Sequence, residues 1–256
     1  MNALRVALRA ALRAALRGRV RQGVFWLREY LLPFGCPLCG SELIGAETWY
    51  GLCGGCYASI ERELQDTQLE SKCDCCGKPL ISELERCLSC RNGMERSFDR
   101  VTVLFPYTGK YRNLLTAYKF GKNSAIGNYF AEKILEILAS MPSAHGECPI
   151  VPVPPRPGKI RKNGWDQIEY LAQLLDRNGL AVQRCLKRLP SKSQKELGRE
   201  NRFQNLKGRI VPVRQPPKTA ILIDDVMTTG ATLDACAAAL KEAGTRTVHG
   251  LCLFYD

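Results

Sequence analysis

Apolar and polar positions change rhythm three times along this chain of 256 residues. The opening stretch, "MNALRVALRAALRAALRGRV", repeats Ala-Leu-Arg every four residues. Leu4, Leu8, Leu12 and Leu16 therefore fall on one slowly drifting helical stripe, and Arg5, Arg9, Arg13 and Arg17 on a neighbouring one. This spacing predicts a basic amphipathic helix or extension over 1–32, suited to peripheral contact with anionic lipid, to nucleic acid or to a partner's groove; the alternative is a loosely tied terminus. Periodicity then vanishes, and glycine and cysteine dominate 33–97. From 98 onwards short apolar runs alternate with amphipathic stretches. "RVTVLFPY" predicts a strand, "GKYRNLLTAYKFG" and "IGNYFAEKILEILA" helices, and "CPIVPVPP" an extended proline-bearing strand. "RPGKIRKNG" reads as a basic loop and "WDQIEYLAQLLDRNG" as a helix. "AILIDDV" is expected as a central strand, "TLDACAAALKEAG" as the helix after it and "TVHGLCLFYD" as the closing strand. Residues 181–208 look too polar to pack on both sides and are expected to form a basic hairpin or hood. Strand and helix alternate, so the predicted class is α/β with a parallel sheet flanked by helices over 98–256, preceded by a small Cys-rich module.

Charge changes this picture by its distribution. The chain carries a net +12. Residues 1–35 hold seven Arg against one Glu, residues 36–98 are acidic, and 156–214 contain 15 basic and 5 acidic residues. That last stretch implies a polyanion or a phosphorylated ligand, or else a solvated basic surface. No run approaches the roughly 20 uncharged apolar residues of a membrane-spanning helix. With no secretory signal either, a cytoplasmic protein is expected.

Thirteen cysteines are the strongest anomaly in the composition. Eight fall into four Cys-x-x-Cys pairs: Cys36 and Cys39, Cys53 and Cys56, Cys73 and Cys76, Cys87 and Cys90. Each such turn brings two thiolates within reach of one ion, and two turns complete a tetrahedral shell. The simplest assignment is sequential, with Cys36, Cys39, Cys53 and Cys56 on one zinc and Cys73, Cys76, Cys87 and Cys90 on another; an interleaved pairing remains open. Four protein ligands leave no position for water, so both zinc ions should be structural. In a module this small metal binding is folding energy, so loss of Cys36 or Cys87 is expected to unfold it and spare the α/β domain. Cys75 is left over, and Cys148, Cys185, Cys236 and Cys252 are expected as small core hydrophobes.

The most informative stretch is "AILIDDVMTTGAT", residues 220–232. Two adjacent acids at the end of an apolar strand repel one another unless a ligand or metal uses them. Asp224 and Asp225 would stand at the carboxyl edge of the sheet, where open α/β sheets bind ligands. The turn Thr228, Thr229, Gly230, Ala231 and Thr232 then enters a helix, and its backbone N–H groups and hydroxyls can surround a phosphate. A diol on the acids and a phosphate in the turn together describe ribose 5-phosphate.

These residues resemble the phosphoribosyl-pyrophosphate signature of type I phosphoribosyltransferases. Cysteine knuckles ahead of such a domain look like the ComF family of competence-associated proteins, and the resemblance extends over about 33–256. It includes Lys119 in "AYKFG", the "VPVPPRPGKIRKNGWDQ" segment, and Arg188, Gln194, Leu197, Arg202 and Asn205. The family usually has Arg-Gly-Phe-Asn-Gln where this chain has Asn163, Gly164, Trp165, Asp166 and Gln167; Arg161 or Lys162 is the expected substitute for the missing charge.

The resemblance implies a double zinc ribbon, a type I phosphoribosyltransferase-like domain, and binding of phosphoribosyl pyrophosphate with Mg²⁺. Lys119, Arg156 and Lys159 are expected near the diphosphate, and Asp224 and Asp225 on the ribose. It further implies a role in competence and DNA uptake with competence-machinery partners. Single-stranded DNA would contact Arg161, Lys162, Arg188, Arg199 and Arg202, with Trp165, Tyr170 and Phe203 as stacking surfaces. The alternatives are a metabolic phosphoribosyltransferase with a structural zinc module, and a scaffold that keeps a vestigial ligand site.

Overall fold

A computed structural model of the chain describes residues 35–67, 71–80, 82–92, 95–141, 148–190, 206 and 208–256. The helix expected over 1–32 lies outside the described residues, as do Gln194, Leu197, Arg199, Arg202, Phe203 and Asn205.

The Cys-rich region holds three helices, α1 (Glu47–Tyr50), α2 (Gly54–Thr67) and α3 (Leu88–Arg91). The α/β part follows as β1 (Arg100–Pro106), α4 (Gly109–Lys119), α5 (Ser124–Ser140), β2 (Ile150–Pro152), α6 (Lys159–Asn163) and α7 (Gln167–Arg177). It ends with β3 (Leu186–Arg188), β4 (Ile210–Pro212), β5 (Thr219–Met227), α8 (Ala231–Glu242) and β6 (Thr247–Tyr255). Side chains start two of the long helices. The Asn123 carboxamide oxygen accepts from Ala125 N, and Asp166 Oδ1 accepts from Ile168 N and Glu169 N, in each case satisfying donors that the first turn leaves open.

Four parallel strands form the main sheet in the order β1-β6-β5-β2. The expected central strand is internal, and the C-terminal strand lies beside it rather than at an edge. β2 is short and at an edge, which suits a segment with prolines at positions that cannot donate to a ladder. A separate antiparallel ribbon pairs Leu186 with Pro212 and Arg188 with Ile210. Two expectations are corrected here. The basic stretch 156–164 is not all loop, because α6 occupies part of it. Nor is 181–208 too polar to pack: Cys185, Leu186, Arg188 and Leu206 are all buried. The ribbon lies on α8, and burial there is set by that contact and not by local composition.

Because successive strand residues point to opposite faces, the sheet separates two cores. Ile221, Ile223, Leu251 and Leu253 meet Leu114, Tyr118, Tyr129, Phe130 and Leu171 of α4, α5 and α7. Ala220, Leu222, Val248 and Cys252 meet Leu233, Cys236, Ala237 and Leu240 of α8, together with the ribbon. The scattered Cys148, Cys185, Cys236 and Cys252 are all buried, as core hydrophobes should be. Each core also takes in part of the Cys-rich region. Cys36, Leu43, Leu52 and Ile60 join the first, and Cys73, Cys76, Leu80 and Cys87 the second. The two Cys-rich halves thus straddle the sheet at its β1 end, and the consequences of metal loss are not confined to a separate module.

Candidate functional site

The carboxyl end of β5 carries the turn singled out from the sequence. Arg156, Asp224, Val226, Met227 and residues 228–233 line a cavity of about 200 Å³. Gly230 sits at φ 76, in the left-handed region open to glycine. A Cβ there would come within 3.1 Å of Met227 Cε and 3.3 Å of Arg96 Nη1. Thr229 Oγ1 accepts from Ala231 N at 3.3 Å, and α8 begins at Ala231, so its first N–H groups open toward the cavity end of the turn.

The strand pleat divides the two acids. Asp224 lines the cavity, whereas Asp225 points to the opposite face. There its Oδ2 accepts from Lys119 Nζ and, at 2.7 Å, from Gln167 Nε2, and its Oδ1 accepts from Val226 N at 2.9 Å. Burial and then the neighbouring Asp225 charge push the Asp224 carboxyl well above the usual carboxylate range. Burial also works against ionised Asp225, but the charge and hydrogen bond of Lys119 and the Gln167 amide outweigh it and hold its pKa down. Lys119, penalised by burial, is nevertheless held more basic than usual by the same partner. One acid is thus kept charged and internally paired while its neighbour is biased toward the neutral form on the cavity wall.

Of the expected cations, Arg156 reaches the cavity. Lys119 is bound to Asp225. Lys159 Nζ pairs with Asp166 Oδ2 at 2.6 Å and also donates to Gln167 Oε1. Asp166, which replaces the family's usual asparagine, therefore both caps α7 and neutralises Lys159. Arg161 and Lys162 are exposed on α6. Arg188, expected on a DNA-facing surface, is only 7% exposed. The aromatic expectation also changes. Trp165 packs edge-on to Tyr118 at 5.7 Å and against Tyr170 at 4.9 Å, and both Trp165 and Tyr170 pack on the first core. Buried stacking of this kind takes them away from the stacking surface expected of them.

Sequence reasoning did not assign Asp166, Gln167, Asp234 or Arg96 a role at the site. Asp166 was legible as an acid immediately before an amphipathic run. Arg96 and Asp234 carry no local signal. They are joined by Ser97, whose N–H donates to Asp234 Oδ1 at 2.7 Å across the first turn of α8.

The paired cysteines assemble as the sequential assignment required. Cys36, Cys39, Cys53 and Cys56 form one group and Cys73, Cys76, Cys87 and Cys90 the other, with all sulfurs of a group within 4.8 Å of one another. A tetrahedral zinc–thiolate shell has sulfur–sulfur edges of about 3.8 Å. Cys39 and Cys53 are 3.5 Å apart, and Cys76 and Cys87 are 3.7 Å apart. Backbone N–H groups of Cys56 and Cys87 point at Cys53 Sγ and Cys73 Sγ. Both sets fit a structural zinc ion. Cys75, the odd residue, serves through its backbone, accepting from Val101 N of β1 at 2.9 Å. Among the described residues, no helix is long and apolar enough to cross a membrane.

No family model matches this chain. Individual proteins do. It is 27% identical to "Competence protein ComFC" of Streptococcus pneumoniae over 83% of this chain and 96% of that protein. It is 26% identical to "Competence protein F" of Haemophilus influenzae, over 84% and 94%. With "DNA utilization protein YhgH" of Salmonella typhimurium the identity is 28%, over 87% and 97%. All three similarities run through both the cysteine knuckles and the α/β part. The chain belongs to the ComF family.

Proposed function

We propose that this protein binds a phosphoribosyl ligand, phosphoribosyl pyrophosphate or a close relative, and acts in the uptake and use of DNA with single-stranded DNA as a partner. The observation that carries the ligand reading is the cavity itself. A half-buried acid, Asp224, and a cation, Arg156, flank a hydroxyl-bearing turn at the N-terminus of α8. The turn takes the 5-phosphate through its N–H groups and the Thr hydroxyls, and Asp224 takes the ribose hydroxyls. Asp225 acts through Lys119, holding a positive charge next to the acid pair. Mg²⁺ arrives with the diphosphate and neutralises part of its charge, with Asp224 the nearest acid on the wall. Two structural zinc ions hold the Cys-rich halves against the sheet.

The DNA part of the proposal draws on the printed names of the relatives. It is supported by exposed Arg161 and Lys162 beside the cavity and by the basic excess of 156–214. A cytoplasmic location and contact with other competence proteins follow from that reading.

Calorimetric titration of phosphoribosyl pyrophosphate, with and without oligo-dT, tests both parts. Thr229→Ala and Asp224→Asn should each weaken the phosphoribosyl ligand about tenfold to hundredfold, the loss of one charge-assisted hydrogen bond. Oligo-dT affinity should fall with rising salt, by about 0.7 log units per log unit for each phosphate neutralised. Unchanged phosphoribosyl affinity in both variants would reject the ligand assignment. Salt-insensitive DNA binding would reject the polymer as partner and leave the metabolic transferase as the better reading.

A further inference from the structure

Arg188 is a buried cation in an unusual setting. It lies on β3 opposite Ile210 of β4 and is 7% exposed. Its Nε is buried with no hydrogen-bond partner among the described residues. The charges that act on it are those of the cavity wall, with Arg156 repelling and Asp224 attracting. Burial first, and then Arg156, holds its pKa below the ordinary arginine value. The ribbon that carries it rests on α8, the helix whose first turn closes the phosphate end of the same cavity.

Such an arrangement is unfavourable in the empty protein. A buried guanidinium with an orphaned donor costs free energy, and a second arginine facing it adds repulsion. The one acid that both arginines share, Asp224, is itself biased toward its neutral form, so it compensates little. The missing partner is an anion with more charge than one carboxylate. The turn at Thr228–Thr232 accounts for one phosphate, and Arg156 with Arg188 stands on the other side of Asp224, where the far end of a ribose-bridged ligand would lie.

We propose that Arg188, together with Arg156, binds the diphosphate end of the ligand, so that the buried arginine is a specificity-determining residue for phosphoribosyl pyrophosphate over ribose 5-phosphate. The inference rests on the phosphoribosyl reading of the cavity. It moves Arg188 from the expected polymer-facing surface to the ligand site, and it accounts for a charge that the packing of the ribbon does not need.

The test compares the full-length zinc-loaded protein with Arg188→Met, which keeps the buried alkyl volume, and Arg188→Lys, which keeps the charge but not the fork. Phosphoribosyl pyrophosphate, ribose 5-phosphate and inorganic pyrophosphate are titrated separately with Mg²⁺ present, and each unliganded protein is melted. Arg188→Met should weaken phosphoribosyl pyrophosphate and pyrophosphate about tenfold to hundredfold, leave ribose 5-phosphate unchanged, and melt at or above the wild-type temperature. Arg188→Lys should recover part of the affinity. Unchanged pyrophosphate and phosphoribosyl pyrophosphate binding in Arg188→Met overturns the proposal, as does an unliganded melt well below wild type with all three affinities falling together. If the wild type binds pyrophosphate through Arg188 but neither ribose ligand, the anion subsite stands and the phosphoribosyl reading falls. If it binds none of the three, both fall.

Discussion

The two Cys₄ groups share a motif but not a task. The first stands on α2 and meets the α/β part largely through polar side chains. Glu61 accepts from Tyr129 and Lys133, Glu63 accepts from Lys110 and Tyr111, and Asn128 Nδ2 donates to Trp49 O. The second meets it through backbone. Val101 N donates to Cys75 O, and the strand leaving Cys90 passes Arg96 and Ser97 over the first turn of α8 before β1 begins. Its Phe98 is 3% exposed and packs in the core behind Gly230. Identical ligand chemistry therefore serves as a peripheral brace on one face of the sheet and as part of the wall behind the phosphate turn on the other.

The largest effect expected from that difference is on metal loss. Structural zinc contributes on the order of 10 kcal/mol to folding of such modules. Cys76→Ser and Cys39→Ser should each release one zinc. Cys76→Ser should also abolish phosphoribosyl binding and lower the melting temperature of the whole chain, because Val101 and Arg96 lose their anchor. Cys39→Ser, at an exposed ligand, should leave ligand binding within about threefold of wild type. Metal content, melting and calorimetry on the same samples decide this, and equal loss of ligand binding in both would erase the distinction.

A finer comparison uses two glycines in matching positions. Gly40 follows Cys39 at φ 80 and Gly77 follows Cys76 at φ 70. A Cβ on Gly40 meets nothing within 4 Å, while one on Gly77 falls 2.6 Å from Val101 O. Gly40→Ala should cost about 1–2 kcal/mol, the left-handed penalty alone. Gly77→Ala should cost about 3 kcal/mol or more, because edge strand β1 must move. Denaturant midpoints give both values, and similar losses would show that the second group is not fitted to β1 as described.

The smallest effect concerns the polar brace. The hydrogen bond from Lys110 draws the Glu63 pKa down against partial burial, with help from Tyr111. A depressed carboxylate stabilises the fold above its unfolded pKa of about 4.3. That contribution is lost as pH falls through the lower folded value. The pair is partly exposed, so Glu63→Gln should cost less than about 1 kcal/mol at neutral pH and should flatten this part of the acid dependence. Melting curves across the acid range should show it, and an unaltered profile would mean the pair contributes nothing.

How far the molecule could be read from its sequence follows the range of the forces involved. Cysteine spacing and the order strand, acid pair, hydroxyl turn, helix are local patterns. They specified the two Cys₄ sets, the parallel α/β class and the cavity-lining turn from Thr228 to Thr232. The Asp166 cap was local too. Lys119 with Asp225, 106 positions apart, was legible only through resemblance. The removal of Trp165 and Tyr170 from the surface had no local mark, because each is buried by Tyr118 and the first core.

By itself, then, the sequence determined the chemistry available: eight thiolates in metal-binding pairs, two adjacent acids and a phosphate-sized turn. Only the tertiary structure decided how that chemistry is shared out. It placed one Cys₄ group on each face of the sheet, turned Asp224 to the cavity and Asp225 to Lys119, and buried Arg188 beside Arg156. Spacing and strand alternation are short-range and repeat with the backbone. Burial and charge partnership depend on which distant elements meet, and no single stretch of this chain contains that information.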